Sequence, residues 1–135
     1  MKKIYLNPKN AIFIMGAYSH GIKVDVGDSQ MIFVTGQMAM DKKGKAVAPG
    51  NLTKQTEYVF KSIQNILKSG GASLNDVVKA VIYTTDVSRF KEISAVRNKY
   101  FAKSKPVSTM VQVGKLSLEG CDIEIEVIAI KPLNK

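Results

Sequence analysis

The chain is predicted to be an α+β protein, a mainly antiparallel sheet with two helices packed on one of its faces. Three observations carry that prediction. Two stretches, Leu52–Ser69 and 88–102, repeat apolar residues at the helical period of 3.6. Six shorter runs have strand length and either alternate or are β-branched. Their order, β-β-β-α-β-α-β-β, is broken by no linker, repeat or low-complexity segment, so residues 1–135 are expected to form one domain.

The elements follow in order. Residues 4–6 are a short strand candidate. Residues 22–26 alternate and 31–35 are an apolar run, and Gly27-Asp28 between them is a turn signal, so 22–35 is expected to be a hairpin. Asp41-Lys42-Lys43-Gly44-Lys45 is a polar loop ending at Pro49-Gly50. In the first helix Leu52, Val59, Phe60, Ile63, Ile66 and Leu67 share a face, Asn51 is the cap, and Gly70-Gly71 ends the run. VVKAVIYTT (77–85) is a central-strand candidate. The second helix carries Phe90, Ile93, Val96, Tyr100 and Phe101 on one stripe, with Ser88 as the expected N-cap.

Composition narrows the function classes. No apolar run approaches the ~20 residues that span a bilayer, and Lys2-Lys3 lead only into a three-residue apolar stretch, too short for a secretory signal. A cytoplasmic protein is expected. One cysteine, Cys121, excludes an internal disulfide and a CxxC metal knuckle, and one histidine, His20, argues against a histidine metal site or a Ser-His-Asp relay. The net charge of +9 would suit nucleic acid, but the lysines are dispersed and only two residues, Arg89 and Arg97, are arginine. No RNP-type, zinc-finger or helix-turn-helix pattern accompanies them, so the charge is assigned to a solvated surface.

Phe33, Ile82 and Val111 lie on strands whose two faces both look apolar. Two helices cover one face of a sheet, so the second face is expected to be buried in a closed symmetric oligomer.

The C-terminal segment KPVSTMVQVGKLSLEGCDIEIEVIAIK (105–131) holds two strand-like runs joined by a turn-prone link. In the second, Glu124 and Glu126 share one face and Ile123, Ile125 and Val127 the other. Its closing IEIEVIA (123–129), together with MGAYSHGIKV (15–24), MIFVTGQMAMD (31–41) and DVVKAVIYTTDVSRF (76–90), resembles the RidA (YjgF) family of imine and enamine deaminases in order and spacing over nearly the whole chain. The resemblance implies a chorismate-mutase-like fold and a homotrimer with small-molecule clefts between subunits. It also implies hydrolysis of amino-acid imines to a 2-oxo acid and ammonia, without metal or organic cofactor.

Carried over residue by residue, the resemblance implies that Glu124 orders the attacking water. Thr35 and Gly36, in an SGQ-type turn, face the ligand with a hydroxyl and a backbone N–H. Tyr18 matches a pocket aromatic in a GPY-type segment in which Ala17 replaces proline and His20 glutamine. Three positions depart from the family: Ser108 stands where catalytic members carry a carboxylate-binding arginine, Met110 at a common cysteine, and Ser94 near a frequent asparagine. A guanidinium makes two charge-assisted bonds to a carboxylate where serine makes one neutral bond.

Plainer readings stand beside these. Glu124 is equally one of two carboxylates on a solvated strand face, Tyr18 a space-filling ring, Thr35-Gly36 a turn without a ligand, and Met110 a packing residue. His20 is expected to be a satisfied or surface residue and Cys121 a structural one. Two other functions remain beside hydrolytic deamination: a non-catalytic protein that binds a metabolite or partner in the same clefts, and an RNA-directed ribonuclease or translation inhibitor.

Overall fold

The helices form where the period places them. The first, α1 (Leu52–Ser69), starts at Asn51, whose Oδ1 accepts the Lys54 N–H at 3.0 Å. It turns its buried stripe inward and stops at Gly70, with Gly71 supplying the positive φ of +79° that ends the run. The second, α2 (Phe90–Tyr100), differs from the expectation at its start. A single 3-10 turn (Val87–Arg89) precedes it, and the Asp86 carboxylate, not Ser88, caps that turn by accepting the Ser88 N–H. A carboxylate two residues upstream reaches the first free N–H groups of the tighter turn, which Ser88, already inside it, cannot cap.

In this computed structural model, which describes residues 1–133, the strands are β1 (Lys3–Leu6), β2 (Gly21–Val26), β3 (Ser29–Met38), β4 (Val77–Thr84), β5 (Val107–Gln112) and β6 (Ile123–Pro132). They make one sheet in the order β1-β2-β3-β6-β4-β5. Every neighbouring pair is antiparallel except β4 and β5, which are parallel and connected through α2. β2 and β3 form the expected hairpin, with Gly27 at φ +61° in the turn. The two C-terminal runs are not neighbours: β4 lies between β5 and β6.

Both helices cover one face. Ile32 and Val34 of β3, Ala80 and Ile82 of β4, and Ile123, Ile125, Val127 and Ala129 of β6 are buried in one cluster with Phe60, Ile63, Ile66, Ile93 and Val96 of the helices. Ile82 therefore belongs to the helix-covered face. On the open face Phe33, Val78, Val111 and Ile130 are each about two-fifths exposed (39–41%), too much apolar surface to be scattered accident. This is the face expected to be covered in an oligomer.

One irregularity positions the site. From Val34 to Gln37 β3 advances three residues while β6 retreats two, from Val127 to Ile125, so Thr35-Gly36 form a β-bulge opposite Glu126.

Candidate functional site

A pocket of about 440 Å³ opens beside this bulge. Its floor is Thr35, Gly36 and Glu124, one wall is Ile12 to Met15 with Tyr18, and its rim is Lys42 and Lys43. The wall belongs to the loop between β1 and β2, pinned to the body at several points. His20 is buried, its N–H donates to Asn7 Oδ1 at 2.8 Å, and Asn10 and Asn65 exchange two amide hydrogen bonds. The His20 ring lies 2.7 Å from the Ile12 carbonyl through Nε2 and 3.4 Å from Gln37 Nε2 through Nδ1. Those partners assign the proton to Nε2. Gln37 itself is buried, donating to the Thr35 carbonyl at 2.9 Å and accepting from Ser62 Oγ at 2.8 Å. His20 is thus a satisfied residue that fixes the loop against the bulge.

The two carboxylates of β6, equivalent by alternation, are distinct in the fold. Glu126 is exposed and accepts the Tyr83 hydroxyl at 2.7 Å, a bond that holds the phenol pKa above its ordinary value. Glu124 is half-buried and accepts no hydrogen bond among the described residues. Burial first, and the neighbouring negative charge of Glu126 second, push its carboxyl pKa above the usual carboxylate range. The Glu124 side chain lies against Gly36: a Cβ there would overlap Oε2 and sit 2.9 Å from Cδ. Only glycine permits this approach. Gly36→Ala is accordingly expected to fold, because the carboxylate is the free end of a flexible side chain, but to move Glu124 off the pocket floor. A stability curve close to wild type with at least a tenfold loss of ligand binding or turnover is the expected pair of results.

Thr35 is tied to the segment that leads into β2. Its N–H donates to the His20 carbonyl at 2.8 Å and its hydroxyl to the Ser19 carbonyl at 2.6 Å, so both donors are engaged within the chain. Towards a ligand the hydroxyl offers its lone pairs. Tyr18 is exposed on the wall.

The other three candidates lie elsewhere in the chain. Ser108 and Met110 of β5 are in register with the buried Ala80 and Ile82 of β4, and therefore sit on the helix-covered side, while Glu124 is on the open side. Met110 packs against the core, and Ser94 is half-buried on α2. Ser108 lines a second concavity of about 470 Å³ between α2 and β5, with Arg97, Phe101 and Lys105. Within one chain the seven candidates do not all meet: Tyr18, Thr35, Gly36 and Glu124 line one pocket, Ser108 lines the other concavity, and Ser94 and Met110 line neither.

Sequence reasoning missed the Ile12 to Met15 wall and the lysine rim. The wall had a signal, a run of apolar residues with no alternation bracketed by Asn-Pro and glycine. The rim is held by Asp41, whose Oδ1 accepts the N–H groups of Lys43 and Lys45 at 2.9 and 3.0 Å. Those bonds, the Lys45 N–H foremost, hold the Asp41 carboxyl below its ordinary pKa. Cys121 is buried with its thiol against the Ala39 carbonyl, as a structural residue should be, and burial raises its pKa. Among the described residues no helix is long and apolar enough to cross a membrane.

Comparison with known proteins places this geometry. The family described as Endoribonuclease L-PSP matches residues 8–131. A RutC family protein of Pyrococcus abyssi is 39% identical over 117 residues, 87% of this chain and 88% of that protein. The 2-iminobutanoate/2-iminopropanoate deaminase of Rattus norvegicus is 32% identical over 117 residues, covering 87% of this chain and 82% of the rat protein. The crystal structure of the E. coli YjgF gene product superposes with a TM-score of 0.80 at 26% identity, over 95% of this chain and 98% of that one. The six-stranded sheet, the two helices on its one face and these matches agree: the chain belongs to the RidA (YjgF) family, the Endoribonuclease L-PSP family of α+β proteins.

Proposed function

We propose that the protein is a hydrolytic deaminase of small reactive imines and enamines, releasing a carbonyl compound and ammonia. The observation that carries this reading is Glu124, a half-buried carboxylate with raised pKa and no hydrogen-bond partner among the described residues, lying against the glycine of a bulge at a pocket floor. A carboxylate held in this way is a stronger base than a solvated one and is suited to accept a proton from water. The water oxygen bonds to the C=N carbon, the π pair moves to nitrogen, and Glu124 takes the water's proton. The same carboxyl returns that proton to the nitrogen of the tetrahedral adduct and then takes the adduct's hydroxyl proton as the C–N bond breaks, so that collapse forms C=O and expels ammonia. The Thr35 hydroxyl lone pair is placed to accept from the iminium N–H. Tyr18 and the Ile12 to Met15 wall hold the apolar part of the substrate, and catalysis rests on positioning.

The similarity to the rat 2-iminobutanoate/2-iminopropanoate deaminase supports a 2-iminoacid substrate. Freshly generated 2-iminobutyrate is expected to release ammonia faster with the protein than in buffer. Rates equal to buffer across several amino-acid imines would remove the assignment.

One observation favours a second reading, a metabolite-binding protein without turnover: the position that the resemblance gives to a carboxylate-binding arginine is Ser108. In that case 2-oxo acids would raise the thermal midpoint while imine hydrolysis stayed at the buffer rate.

A further inference from the structure

A separate cleft shares a wall with the Glu124 pocket. It runs between the β1–β2 loop and α1 and holds about 330 Å³, the small end of ligand-sized cavities. Lys42 and Lys61 line it, and no carboxylate does. Neither lysine has an ion-pair partner among the described residues. Glu57, one turn before Lys61 on α1, is already engaged by Lys99 and by the Tyr100 hydroxyl. Asp41 is the acidic group nearest the cleft, since its charge adds to burial in raising the Tyr58 pKa. Its Oδ1 is held by the Lys43 and Lys45 N–H groups.

The cleft is tied on both sides. Asn10 and Asn65 exchange amide bonds of 3.2 and 2.9 Å across it, and the Tyr58 hydroxyl donates to the Met40 carbonyl at 3.0 Å. Each asparagine keeps a second amide N–H after that exchange. Two ammonium groups and two amide donors thus line one small space. A carboxylate would match one of the cations with its single charge, whereas a phosphate group, at about −1.5 to −2 near neutral pH, matches both. Both lysines are exposed, which suits weak, reversible binding of a metabolite.

We propose that this cleft is a binding site for a phosphate group, and that its occupation weakens anion binding in the Glu124 pocket. The link is Lys42, which together with Ile12 and Met40 lines both spaces. One ammonium group serves one anion at a time, so a ligand in either space takes Lys42 from the other, and the weakening must be mutual.

The test uses inorganic phosphate and glycerol 3-phosphate as probes, read by calorimetry at constant ionic strength because exposed charges are screened by salt. Lys61→Ala is expected to raise the Kd for glycerol 3-phosphate about fivefold, the upper end for an exposed charge pair, while Lys61→Arg keeps it and 2-oxobutyrate binding without phosphate is unchanged in both. Saturating glycerol 3-phosphate is expected to raise the wild-type Kd for 2-oxobutyrate about fivefold and then level off, with the same factor in the reverse titration. Lys42→Ala should weaken both ligands and remove the coupling. Equal affinity for the two probes assigns free phosphate, and tighter binding of the ester assigns a phosphorylated metabolite. Absence of binding by either probe, or a glycerol 3-phosphate Kd unmoved by Lys61→Ala, overturns the site. A 2-oxobutyrate Kd that climbs without levelling marks direct competition in the Glu124 pocket, and coupling that survives Lys42→Ala removes the shared lysine; either overturns the link. Phosphate binding is read without turnover. If the protein neither hydrolyses imines nor binds 2-oxobutyrate, the deaminase reading falls alone, and the Lys61 variants still decide the phosphate site.

Discussion

Glu124→Gln is expected to lower kcat for imine hydrolysis by about 10²- to 10⁴-fold, the range for removing a positioned general base, while KM changes little. The amide keeps the shape of the side chain over Gly36 and its hydrogen-bonding reach, but cannot take a proton from water. The pH profile gives an independent check. Burial and Glu126 raise the pKa of Glu124, so the acidic limb of the wild-type activity should lie above the ordinary carboxylate range and vanish in the variant.

Stability should move the other way. A carboxyl whose folded pKa is raised contributes stability that is complete below its unfolded pKa and is lost as pH rises through its folded pKa. Above its folded pKa the wild-type protein has lost that contribution, since it holds a half-buried charge that water would solvate better. Glu124→Gln is therefore expected to melt higher than wild type above that pKa, with the difference closing as pH falls toward the unfolded carboxylate value. A variant that is inactive and also less stable above that pKa would mean that Glu124 is a structural residue.

Several elements were legible because their signals are local. The first helix, its Asn51 cap and the hairpin at Gly27 all follow from residues within a few positions of each other. The bulge at Thr35-Gly36 was not, because one extra residue in a strand leaves no mark on an apolar pattern. The distinction between Glu124 and Glu126 was hidden for a related reason. Alternation puts both on one face, and only Tyr83, more than forty residues away in sequence, separates them by bonding one. The separation of Ser108 and Met110 from Glu124 is a question of sheet order. Period-two spacing assigns Ser108 and Met110 to one side of β5, but whether that side matches Glu124 depends on β4 lying between β5 and β6. Capping at Asp86 depended on the first turn being 3-10, which the apolar stripe of α2 does not encode.

Phe60→Ala is expected to produce the largest loss of stability in the chain, about 3–5 kcal/mol, the range for emptying an aromatic site in a packed core. The Phe60 ring is fully buried, stacks on Tyr100 with centroids 4.8 Å apart and meets Phe101 edge-on at 5.1 Å. It is an apolar link between α1 and the end of α2, beside a polar one: Glu57 accepts from the Tyr100 hydroxyl at 2.7 Å and pairs with Lys99. Burial, with the Glu57 bond second, pushes the Tyr100 pKa up to about 12, so the tyrosine stays a donor through the working pH range. The exposed ion pair contributes little of the stability, and the aromatic cluster carries the join. The denaturation midpoint should fall sharply with little change in slope. Phe60→Leu, which refills most of the volume, is expected to recover part of the loss. If Phe60→Ala cost less than about 1 kcal/mol, the value for a surface site, α2 would not be held to α1 by this ring.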